Sequence, residues 1–140
     1  MPPSAQQAHD DARTGGESVI GWKVERASRR ELLQQFRPKY KSVVADHVTL
    51  RSRVAEGAPL PEEPHGEVIG RADDGQGVEA LVVRIGGTTD RPGGGTYHIT
   101  WSLAEGREAV ESNDVIAAGG WEDLEMPQTV KLEPACWARS

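Results

Sequence analysis

The strongest constraint on this chain is a short pattern that occurs twice. Asp46-His47-Val48-Thr49-Leu50 is echoed by Tyr97-His98-Ile99-Thr100-Trp101, each reading His, aliphatic, Thr, large apolar. In an extended strand, successive side chains face opposite ways. His47 and Thr49 then share one face while Val48 and Leu50 share the other, and His98 and Thr100 oppose Ile99 and Trp101 in the same way. Each strand buries its apolar pair and presents an imidazole beside a hydroxyl. Side by side, two such strands make a cleft with two proton-transfer groups and two short hydrogen-bond donors.

The rest of the composition bounds what can surround that cleft. A length of 140 residues fits one domain with a real core. Only 36 % of residues are apolar, and there are 16 glycines and 9 prolines, so part of the chain is expected in loops and a tail. No apolar run approaches a membrane span and no basic-then-apolar leader opens the chain. The expectation is a soluble, cytoplasmic monomer with no membrane partner. The net charge of −6 argues against coating nucleic acid through overall charge, yet leaves room for a small basic pocket that takes one phosphate. A single cysteine, Cys136, excludes an intrachain disulfide or a thiolate metal cluster.

Read in order, residues 1–18 are polar and Gly/Pro-containing and are expected as a disordered tail, with the domain spanning 19–140. Val19 to Glu25 has strand composition. Ser28-Arg29-Arg30-Glu31 fits a capping box, and Leu32, Leu33, Phe36 and Tyr40 behind it repeat at helical spacing up to Pro38. Residues 42–45 lead into the first motif. Residues 55–66 read as a loop in which His65 neighbours Glu62, Glu63 and Glu67, without the ligand spacing on a rigid element that a metal site needs. Residues 67–71 and 78–85 form a hairpin around Asp73–Gly77, and Gly86 to Gly95 reads as a mobile connection poised over the second motif. A helix over 108–118 stopped by Gly119-Gly120, and a strand over 128–132 bordered by Pro127 and Pro134, complete the chain. The order βαββββαβ makes the fold α+β on antiparallel sheet.

Two His-x-Thr motifs with apolar x positions are the mark of the two-histidine (2H) phosphoesterase superfamily, which His47-Val48-Thr49-Leu50 and His98-Ile99-Thr100-Trp101 resemble in both copies. The opening order of strand, helix and first motif is similar too. The stretch from Ala109 to Asp114 looks like the cyclic phosphodiesterase domain of fungal-type tRNA ligases. The likeness covers about residues 19 to 135. It implies antiparallel sheets in two pseudo-symmetric lobes, short helices outside, and a central cleft carrying the two motif strands. The motifs stand only 51 residues apart, short for the family, so one lobe is expected to be trimmed.

The resemblance implies His47 and His98 as general base and acid and Thr49 and Thr100 as phosphate ligands, opening a 2′,3′-cyclic phosphate at an RNA end or in a small nucleotide with no metal and no cofactor. The residue chemistry agrees. An imidazole with a pKa of about 6.5 can give or take a proton near neutrality, and hydroxyls can stabilise charge building on phosphate oxygens. Arg51 and Arg53 continue the His47/Thr49 face by alternation and are candidate phosphate or base ligands, with Tyr40 a candidate for stacking on a base. Trp22 and Trp101 are expected in the core. Three other readings stay open: a nucleotide- or RNA-binding module without turnover, an enzyme that cleaves or ligates 2′-5′ or other phosphodiesters, and an unrelated interaction domain in which the motifs lie apart.

Overall fold

In the structure, a computed structural model that describes residues 3–138, the elements are α1 (Ala5–Asp11), β1 (Thr14–Val24), α2 (Arg26–Gln35), β2 (Ser42–Val43), β3 (His47–Val54), β4 (His65–Asp73), β5 (Val78–Arg84), β6 (His98–Leu103), α3 (Glu111–Gly119) and β7 (Glu122–Ala138). Every pairing between these strands is antiparallel, so the fold is α+β on antiparallel sheet. The order β6-β3-β1-β7-β4-β5 returns to its start because β5 also pairs with β6, and β2 adds to β6. A single closed ring therefore stands where two lobes were expected. The cause is β7. At 17 residues it is long enough to pair with β4 along its first part and with β1 from Leu132 onward, stitching what could be two sheets into one.

The prolines expected to border the last strand lie inside it, for two different reasons. The β4–β7 register jumps between Val68↔Gln128 and Gly70↔Asp123, so Pro127 falls in an irregular stretch where no ladder bond is needed. Pro134 pairs with Trp22 of β1. Leu132 N–H points to the Pro64 carbonyl at the β4 side, and Pro134, two residues on, points its nitrogen to that same side beyond the end of β4. Its missing donor costs nothing there.

The ring encloses the main core, with Trp22, Trp101, Tyr97, Ile20, Leu50, Leu81, Val48 and Ile99 fully buried. Trp22 meets Tyr97 edge-on at 5.7 Å, and both indole N–H groups find carbonyls, Glu63 for Trp22 and Phe36 for Trp101. Ala80 and Val82 of β5 face outward and are covered by Ile116 of α3 and by Trp121. Among the described residues, no helix is long and apolar enough to cross a membrane.

Two local expectations need correction. The supposed tail, of which residues 1–2 lie outside the described residues, is built into the fold: Ser4 caps α1, Ala5 and Ala8 of α1 and its C-cap Ala12 face the core, and β1 starts at Thr14. Small side chains allow a close approach, and α1 is tied down by Ala5 N–H to Glu63 and by Glu62 N–H to the Pro3 carbonyl. α2 begins two residues before the proposed capping box. Glu25 is the cap, accepting from Ala27 and Ser28 N–H, while Ser28 is buried and its Oγ accepts from Lys131 N–H.

One irregularity in β3 decides which of its side chains share a face. Gly21 pairs with Thr49 but Ile20 pairs with Arg51, so β3 carries an extra residue, a β-bulge at Leu50. The backbone of β3 crowds Gly21 so closely that a Cβ there would lie 2.2 Å from the Val48 carbonyl oxygen. Gly21→Ala is therefore expected to destabilise by about 1–3 kcal/mol in urea unfolding. Gly119→Ala, with nothing within 4 Å of its Cβ, should instead gain roughly 0.4–1 kcal/mol.

Candidate functional site

The two motif strands are neighbours. Residues 42–45 run along β6: β2 pairs Ser42 with Leu103 and Val43 with Ser102, then Val44 and Ala45 N–H donate to the Trp101 and Thr100 carbonyls. Ala45 turns the chain through a left-handed conformation (φ 46°), and Val48 comes to rest opposite Ile99. Arg29 Nε holds the kink by donating to the Ala45 carbonyl at 2.7 Å. With Val48 and Ile99 facing the core, His47, Thr49, His98 and Thr100 line one cleft of about 560 Å³. Ser52, Arg91, Glu108 and Asn113 add polar walls, while Val19, Ala109, Val110 and Trp137 form an apolar side.

His98 sits low in the cleft. Its Nδ1 lies 2.8 Å from the Thr96 carbonyl, which can only accept, so Nδ1 carries the hydrogen and Nε2 is the nitrogen free to exchange a proton. Burial lowers the pKa of this imidazole from its ordinary 6.5; the Thr96 carbonyl works against the shift, and the charges of Arg91 and His47 add to it. His98 is thus held neutral around pH 7. His47 is more open, and its Nδ1 meets Asp46 Oδ2 at 3.1 Å, which again leaves Nε2 free. The same Asp46 oxygen accepts from Lys23 Nζ at 2.6 Å. The His47 ring packs 4.8 Å from that of Trp137, over which Lys23 Nζ lies at 4.6 Å.

The two threonines differ. Among the described residues Thr49 makes no side-chain hydrogen bond that would engage its hydroxyl. Thr100 is nearly buried, and its Oγ1 lies 2.9 Å from Ser112 Oγ and 3.3 Å from the Ala109 carbonyl. Its first role is to hold the start of α3 on the cleft rim.

Arg91 is the residue that the sequence did not single out. It lies in the glycine-rich connection before β6 and reaches into the cleft. Its contacts are long, 3.4 Å to Asn113 Oδ1 and 3.4 Å to the Leu50 carbonyl, and its Nε–H is buried with no partner. Among the described residues no carboxylate pairs with it. A half-buried guanidinium whose Nε–H is shut off from water and which has no paired carboxylate is a fitting partner for an anion.

The other sequence candidates lie elsewhere. The bulge at Leu50 breaks the alternation, so Ser52 rather than Arg51 joins His47 and Thr49 in the cleft. Arg51 turns to the other side and donates to the His9 carbonyl at 2.6 Å. Arg53, in a left-handed conformation, is exposed and lines no part of the cleft. Tyr40 belongs to a separate polar cluster, donating its hydroxyl to Asp73 while its N–H meets Ser102 Oγ. Asp46 had a visible signal, an acid directly before the first histidine. Trp137 had none, since it reaches the cleft only because β7 runs past Pro134.

Compared with protein-family models, with curated proteins and with solved structures, the chain matches none. The site brings together two imidazoles, one of them beside a carboxylate, a hydroxyl that makes no side-chain hydrogen bond among the described residues, and a half-buried arginine with no carboxylate partner among them. By NMR titration His98 is expected to have its midpoint below 6.5. Because the folded value is depressed, its contribution to stability is complete above about pH 6.5 and is lost as pH falls through the folded value. A midpoint above 6.5 would contradict the burial described.

Proposed function

We propose that this cleft opens 2′,3′-cyclic phosphates by two-histidine acid–base chemistry without a metal. The observation that carries the reading is the convergence of two imidazoles, each with Nδ1 committed to an acceptor, on a cleft that also holds a half-buried arginine with no carboxylate partner among the described residues. His98 Nε2, neutral, takes a proton from the attacking water. His47, with Asp46 to balance its charge, gives a proton to the departing ribose oxygen. Arg91 and the Thr49 hydroxyl bind the non-bridging oxygens, where charge grows in the transition state. The apolar wall of Val110 and Trp137 suits the face of a nucleobase.

The resemblance of the four motif residues to the 2H phosphoesterase superfamily, and of the following stretch to the cyclic phosphodiesterase domain of fungal-type tRNA ligases, supports the same chemistry. The closed ring departs from the two-lobed arrangement but leaves that chemistry intact, since it requires only the motif strands side by side.

The test is turnover of the four nucleoside 2′,3′-cyclic monophosphates with EDTA present. His47→Ala and His98→Ala should each lose about 10²–10⁴-fold in kcat/KM. Arg91→Ala is expected to lose about 10²-fold, as for a group that binds developing charge. In wild type the acid limb of the pH profile should fall below pH 6.5, following the lowered His98. Activity that survives both histidine substitutions would end this reading.

A further inference from the structure

A second groove, of about 400 Å³, lies on α2 between Val24, Arg26, Arg29, Arg30, Leu33 and Asp46. Its three arginines occupy one helix face at i, i+3 and i+4. That placement works against the helix twice. Like charges at this spacing repel, and cations in the first turn oppose the helix dipole. Among the described residues no carboxylate forms an ion pair with any of the three. Glu25, the adjacent acid, has both oxygens committed to the N–H groups of Ala27 and Ser28. Arg29 is fixed by the carbonyls of Ala45 and Val44, which hold its guanidinium in place without neutralising it. Since Glu25 occupies the free helix N–H groups, the guanidinium groups are the binding elements, not the helix terminus.

The groove and the cleft are linked through neighbouring residues, Asp46 and His47. Asp46 borders the groove, and the same carboxylate touches His47; its own charge is met by Lys23 at 2.6 Å. In a chain of net charge −6, a polyanion can be held only where positive charge is gathered locally and left unpaired.

We propose that this groove binds backbone phosphates of a single-stranded RNA whose cyclic-phosphate end occupies the cleft, so that the substrate is an oligonucleotide and not a mononucleotide. The proposal rests on the reading of the cleft as a cyclic-phosphate site. Arg26 and Arg30 are exposed and contact phosphate; Arg29 both contacts it and keeps the Ala45 kink in place.

The test uses the full chain and Arg26→Ala/Arg30→Ala, which keeps Arg29 and should fold at least as well, since Ala is the better helix former and the repulsion is relieved. Binding of a fluorescent 12-nucleotide RNA with a terminal 3′-phosphate is measured by anisotropy across a salt series. The variant should bind roughly tenfold more weakly at low salt, with the slope of log K against log salt shallower by about 1.4. Its kcat/KM should fall roughly tenfold on an RNA ending in a cyclic phosphate and stay at the wild-type value on cyclic mononucleotides. Equal RNA affinity and slope in the two proteins, or equal losses on both substrates, overturn the proposal. If neither protein turns over any substrate but RNA binding still differs as stated, the groove stands and the reading of the cleft falls. If both turn over mononucleotides and bind RNA equally, the cleft stands and the groove falls.

Discussion

The run of residues 42–48 along β6 is the contact on which the rest of this molecule depends. It joins the first motif strand to the second, and β3 itself touches β6 at one register position, Val48 opposite Ile99. Both residues are fully buried, so the junction is held from beneath by the core more than by its ladder. The ring thus closes at its thinnest point, and the cleft lies over that point. Two segments that pack from outside, the Arg91 connection and the start of α3, wall it together and meet where Arg91 approaches Asn113. Thr100 serves this closure by engaging Ser112, which brings the helix down beside His98.

What the sequence made legible was the part governed by period-two alternation. The two motif strands with Val48, Leu50, Ile99 and Trp101 on their buried side, the β4–β5 hairpin and the stop of α3 at Gly119-Gly120 follow from local pattern, and the structure carries each of them. What escaped depends on contacts distant in sequence. The alanine stripe of α1 is too small to register as amphipathic and acquires a partner only from the finished ring. The bulge at Leu50 exists because Gly21 on another strand permits it, and with it went the assignment of Arg51. Arg91 sat among glycines and prolines that mark a loop, and nothing local indicates that the loop folds inward.

The electrostatics show why net charge is a poor guide to partners here. The acidic excess is largely exposed or committed to turns, caps and ion pairs, as with Asp74 in the β4–β5 turn and Glu25 at the start of α2. Among the described residues Arg91 has no such carboxylate, and neither do the arginines that line the α2 groove. Positive charge gathered in the cleft and in the α2 groove carries more information about ligands than the sum of −6 does.

β7 is the last of these elements in sequence, yet it pairs with β1, the first strand, and with β4 near the middle. Until its 17 residues are present, β1 and β4 each lack a neighbour and the ring stays open. Assembly must therefore wait for a long-range closure, which makes folding slow relative to chains built from local contacts. It also makes folding concerted: the same strand that completes the barrel delivers Trp137 to the cleft. A chain interrupted before that strand would expose two unpaired sheet edges, so incomplete synthesis should give aggregation and not a partly working domain.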